Sequence, residues 1–130
     1  MIYTGQLIYL ILPIILGGIS NMIFVKISFL SFLKKPIDSG MILSDGKRLF
    51  GENKTIKGFL GMIIFTSLWM GVIGLVTREV KTLNEFSLFS YGESDPFSLI
   101  FLYGGWWGLG YVLFELPNSF IKRRIGIGAG

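Results

Sequence analysis

An all-α polytopic membrane protein with three transmembrane helices is the fold class this sequence predicts, on three observations. Hydrophobic residues make up 52% of the chain and charged residues only 15%, well below the roughly 25% charged that a soluble domain carries. The apolar residues gather in three long runs, about 7–33, 58–76 and 98–116, and not in one soluble core. Lys and Arg crowd the first connection and the tail but not the second connection, the alternation expected of successive membrane crossings.

The chain of 130 residues reads as a single membrane domain, without an internal repeat or linker. It opens on Met1-Ile-Tyr-Thr-Gly-Gln6, with neither a basic stretch before the apolar run nor a small-residue cleavage site after it, so no removable signal peptide is expected. The first run exceeds the ~20 residues a bilayer crossing needs. It can therefore span with tilt or let its C-terminal part emerge, where Lys26 snorkels to the headgroups. Asn21 lies inside this run and should face another helix or a water-filled cavity, because an amide facing lipid is costly.

The connection 34–57 carries Lys34, Lys35, Lys47, Arg48, Lys54 and Lys57, interleaved with Asp38, Asp45, Glu52 and Gly40, Gly46 and Gly51. Such a backbone can form anion-binding nests. Gly51-Glu-Asn-Lys-Thr55 is superficially like a Walker A loop, but Glu52 and Asn53 follow the glycine and no strand precedes it, so a P-loop fold is rejected. Lys54 and Thr55 nevertheless stand just before the second span, where the helix dipole favours phosphate. The plainer reading is a positive-inside loop touching lipid headgroups.

The second span, 58–76, and the third, 98–116, are near the minimum spanning length. The outer connection, with Glu79, Glu85, Glu93 and Asp95, reads as a solvated link. Gly104 and Gly108 form a small-xxx-small pair that lets another helix approach; packing is the preferred reading there, over a substrate groove lined by Trp106 and Trp107. The third span ends and the tail, 117–130, begins within Glu115-Leu-Pro-Asn-Ser119-Phe-Ile-Lys122-Arg123-Arg124. If it is helical, Ser119, Lys122 and Arg123 share a face suited to a phosphate chain, with Glu115 and Ser119 as oxygen ligands for Mg²⁺. On this segment alone, a basic cluster that orients the third span is the preferred reading.

The basic loop and tail put the N-terminus outside and both segments in the cytoplasm. Without Cys or His, disulfides, thiolate zinc sites, thiol nucleophiles and His-based triads are excluded. A metal would be held by oxygen ligands, which suit Mg²⁺.

Taken together, Asn21, Pro36-Ile-Asp-Ser-Gly40, the run Asp45-Gly-Lys-Arg-Leu-Phe-Gly-Glu-Asn-Lys-Thr-Ile-Lys-Gly58 and Ser119-Phe-Ile-Lys-Arg-Arg-Ile-Gly126 resemble the CDP-archaeol synthase family, related to the phosphatidate cytidylyltransferases. The resemblance implies Mg²⁺-dependent transfer of a cytidylyl group from CTP to a membrane lipid phosphate, releasing pyrophosphate. It implies catalytic roles for Asp45, Lys54 and Lys122, and substrate contacts from Asn21, Asp38, Lys47, Arg48, Thr55, Lys57, Ser119, Arg123 and Arg124. Asp45, Glu115 and Ser119 are its metal ligands. The expected partners are CTP and the lipid, with no nucleic acid, and a homo-oligomer is left open. Asn53 stands where the family has glycine, and Glu115 where it has aspartate. The family continues past the Lys-Arg-Arg stretch with a further acidic motif and more spans, so this chain is expected to be either a fragment or an inactive truncated homologue. The contrasting function is a non-catalytic membrane protein whose basic loops bind anionic lipid or a partner.

Overall fold

The computed structural model describes residues 2–88 and 96–128, and every structural statement below concerns these. Glu93 and Asp95 of the outer connection lie outside them. Three helices follow in order, α1 over Ile2–Lys26, α2 over Ile56–Glu79 and α3 over Phe97–Arg124, and no strand occurs among the described residues. Each is long and apolar enough to cross a membrane. The protein is an all-α, multi-pass membrane protein.

The first apolar run is helical only to Lys26, although it continues to Leu33. Two features turn the chain there. The ammonium of Lys57, in the first turn of α2, donates to the Ile27 carbonyl at 2.7 Å, and Leu30 adopts a left-handed backbone (φ 54°) before a short 3₁₀ turn over Ser31–Leu33. The third run shows the opposite departure. α3 passes through Pro117 and carries the tail residues 118–124 in the same helix.

α2 is the central helix, packed against α1 on one side and α3 on the other, whereas α1 and α3 barely meet. Small residues make this approach close. A Cβ on Gly17 would fall 3.0 Å from the Thr66 backbone, on Gly104 2.6 Å from Ser67 Cα, and on Gly108 2.8 Å from Ile63 Cα. Gly104 and Gly108 thus form the α2–α3 seam that their spacing predicts. Polar side chains inside the bundle bond between helices: Trp69 to Ser20 at 2.9 Å, Ser67 to the Phe101 carbonyl at 2.6 Å, and Tyr9 to Thr77, which donates to Ile73. In lipid an unpaired polar group is costly, so these bonds fix the rotation of each helix.

Candidate functional site

The connection between α1 and α2 folds back on itself around one carboxylate. Asp38 Oδ1 accepts from the Gly40 amide and from Arg48 Nη2, both at 3.0 Å, while Oδ2 accepts from the Phe50 and Gly51 amides at 3.1 and 3.2 Å. Burial pushes this carboxyl up, but the amides of Phe50, Gly40 and Gly51 and the Arg48 guanidinium together hold it below its ordinary 3.8. Gly40, Gly46 and Gly51 all have positive φ, the conformation glycine adopts at no steric cost. Leu43 and Lys47, Met41 and Leu49, and Ile37 and Lys54 pair across the loop, which returns the chain to the start of α2.

The tip of this loop docks on the C-terminal end of α3. Arg124 pairs with Asp45 at 2.6 Å and also reaches the Arg48 carbonyl; Lys47 Nζ donates to the Arg124 carbonyl at 2.7 Å. Arg123 Nε donates to the Phe50 carbonyl at 3.2 Å. Lys47, Arg48, Glu52 and Arg123 surround a cavity of about 390 Å³. The basic loop and the basic end of α3, far apart in the chain, therefore meet at one end of the bundle.

Beneath the loop, a cleft of about 270 Å³ is lined by Asn21 of α1, Asn53, Lys54, Thr55 and Gly58 at the start of α2, and Glu115 of α3. Thr55 caps α2, its hydroxyl accepting the Gly58 amide at 3.1 Å. Asn21 donates to the Gly58 carbonyl at 2.9 Å, and its buried Oδ1 has no partner. Lys54 forms an ion pair with Glu115 across the cleft, and Lys26 of α1 also lines it. A helix N-terminus beside a lysine is a setting that attracts phosphate.

The remaining expected site residues are distributed unevenly. Lys57 is wholly buried, bonded to Ile27 and stacked 4.4 Å over the Phe24 ring, and it does not line the cleft. Ser119 is also buried. Lys122 and Arg123 open into different cavities, Lys122 beside Glu115 and Asn118, Arg123 beside the loop. Asn118 was missed by sequence reasoning. Its signal is the spacing Glu115, Asn118, Lys122, which repeats on one helix face.

The comparison with known families decides what this assembly belongs to. Residues 2–130 match the family described as "CarS-like: CDP-archaeol synthase". The chain belongs to the CDP-archaeol synthase family. Among its relatives, the CDP-archaeol synthase of Methanoculleus marisnigri is 36% identical over 91 residues, covering 70% of this chain and 48% of that protein. That of Pyrococcus furiosus is 33% identical over 118 residues, covering 91% and 53%. The chain spans about half the length of the curated relatives it matches. A solved structure described as an intramembrane enzyme for archaeal membrane lipids biosynthesis superposes with a TM-score of 0.64 at 25% identity, covering 95% of this chain and 62% of that one.

Against the Mg²⁺ that the CDP-archaeol synthase family implies, the three expected ligands are held apart. Asp45 is paired with Arg124 at the loop tip, Glu115 with Lys54 in the cleft, and Ser119 is buried. Among the described residues no group of three acidic side chains gathers. The donor set fits a cation that arrives with phosphate oxygens already on it, since Mg²⁺ is usually bound by one or two carboxylates plus substrate phosphates.

Proposed function

We propose that this chain supplies the nucleotide-binding wall of a CTP-dependent lipid cytidylyltransferase. In this reading a lipid phosphate oxygen bonds to the α-phosphorus of CTP, the α–β phosphoanhydride bond breaks, and pyrophosphate leaves with the electron pair. The product is a CDP-activated phospholipid precursor. The described helices act as one membrane domain, with the loop end facing the cytoplasm.

The observation that carries the reading is the cleft at the start of α2, where Lys54 and Thr55 stand at a helix N-terminus under a loop braced by Asp38. Phosphoryl chemistry asks mainly for positioning and charge neutralisation. Lys54 supplies the charge, exchanging Glu115 for a phosphate oxygen as the nucleotide enters. The freed Glu115 carboxylate would then be available to hold Mg²⁺, which would supply neutralisation of phosphate charge. Lys57 and Asp38 hold the loop in place, and Asn21 ties α1 to the cleft floor through Gly58.

The test uses the complete protein in lipid. Lys54→Ala should lower kcat/KM for CTP by about 100-fold, the scale of losing one charge-stabilising contact, with membrane insertion intact. CTP should bind the wild type with Mg²⁺ present. Near-normal turnover in the variant would remove Lys54 from the site, and absence of CTP binding by the wild type would favour a lipid-binding protein without catalysis.

A further inference from the structure

A second cavity, about 840 Å³, runs along α3 and shares Glu115 with the nucleotide cleft. Its walls are apolar over Trp106, Trp107, Tyr111 and Phe114, facing Ile14 of α1, and its other end carries Asn118 and Lys122. Trp106 to Phe114 covers about 12 Å of helix, against about 15 Å for one leaflet of hydrocarbon. Trp107 is anchored by donation to the Leu10 carbonyl at 3.2 Å, whereas Phe114 is 82% exposed and leaves its ring bare.

The polar end carries an ammonium with no partner among the described residues. Arg48, Lys54 and Arg124 each pair with a carboxylate, whereas the Lys122 ammonium has no ion pair or side-chain hydrogen bond among the described residues, only its carbonyl accepting from the Ile127 amide. Glu115 would repel an anion there, yet Lys54 neutralises it from the cleft side. An apolar trough one leaflet deep, ending at an unspent ammonium, is complementary to an amphiphile with an anionic head.

We propose that this groove is the entry and binding site of the lipid phosphate acceptor, which rests on the nucleotidyl-transfer reading above. The lipid chain lies against Trp106, Tyr111 and Phe114, and the phosphate meets Lys122 and Asn118. Its attacking oxygen is then presented across the Glu115 wall to the nucleotide held at Lys54.

Gly110 offers a clean probe, because it lines the groove and a Cβ there meets nothing within 4 Å. Gly110→Leu should fill the trough without disturbing the protein. In the complete protein it should raise KM for a lipid phosphate by about tenfold or more, the scale of a blocked apolar pocket, and leave KM for CTP unchanged. Gly105→Leu, equally unobstructed but facing a different cavity, should alter neither. Turnover with soluble glycerol phosphate should be poor and insensitive to Gly110→Leu; if that variant impairs it equally, the groove is not a chain site. An unchanged lipid KM in Gly110→Leu overturns the proposal while leaving cytidylyl transfer standing. Quenching of tryptophan emission by a brominated phosphatidate, beyond that by brominated phosphatidylcholine, reads binding without turnover. Its loss in Gly110→Leu supports the groove, and its retention rejects it even if the wild type turns over no CTP.

Discussion

Asp38 and Lys57 are charged and buried, and both spend their charge on the chain itself. Their places in the loop motif imply substrate contacts, but motif spacing does not say which way a loop closes. Asp38 receives three backbone amides and one guanidinium, a count that exists only once residues 40, 48, 50 and 51 surround it. Replacing it by Asn would leave buried donors without a full set of acceptors, at about 1–3 kcal/mol each. The pH behaviour follows from its lowered carboxyl. In the unfolded chain this group protonates near 3.8, and in the folded chain only below that. Its stabilisation is therefore complete at neutral pH, persists down to that value, and is lost as pH falls through the folded value. Thermal unfolding in detergent, followed from neutral pH to about pH 3, should show an acid-dependent loss in the wild type that is smaller in Asp38→Asn. Equal acid sensitivity in both would assign the loss to other carboxylates.

The helices were legible in their existence and order, because long apolar runs leave few alternatives in a membrane. Their ends were not. The stop at Lys26 depends on Lys57 reaching back to Ile27, and the extension of α3 beyond Leu116 depends on its last turn finding the loop through Arg123 and Arg124. The glycine spacing on α3 serves packing, and the two tryptophans between and beside the glycines line a cavity. Gly104 and Gly108 face α2, while Trp106 and Trp107 line a groove on another side of the same helix. A helix has room for both. The seam predicts a sharp contrast between neighbours. Gly104→Ala forces a Cβ to 2.6 Å from Ser67 Cα, which only a backbone shift can relieve, and should destabilise by about 1–3 kcal/mol. Gly105→Ala enters open space and should stabilise by up to about 1 kcal/mol through helix propensity. Unfolding midpoints of the two variants should move in opposite directions; a shared direction would place the seam elsewhere.

At the scale of the molecule, the structure gathers one end of the bundle around the basic segments. The end of α1, the loop, the start of α2 and the end of α3 meet there, joined by Asp45–Arg124, Lys54–Glu115 and Lys47 to the Arg124 carbonyl. Lys26, Lys34, Lys35, Lys47, Arg48, Lys54, Lys122, Arg123 and Arg124 all belong to these segments, whereas Arg78 and Lys81 follow the other end of α2. That excess argues for a cytoplasmic loop end and an N-terminus outside, since Lys and Arg near span ends set orientation. Three crossings also agree: an N-terminus outside brings the α1–α2 loop in, the next connection out, and the end of α3 in. Single cysteines at Ser44 and Thr82, both exposed and at opposite ends of α2, report the orientation directly. In right-side-out vesicles an impermeant thiol reagent should label Thr82→Cys at once and Ser44→Cys only after permeabilisation. Labelling in the reverse order would invert the protein. The cleft proposed to bind nucleotide would then open away from the cytoplasm, and a CTP-dependent reaction there would lose its supply of nucleotide.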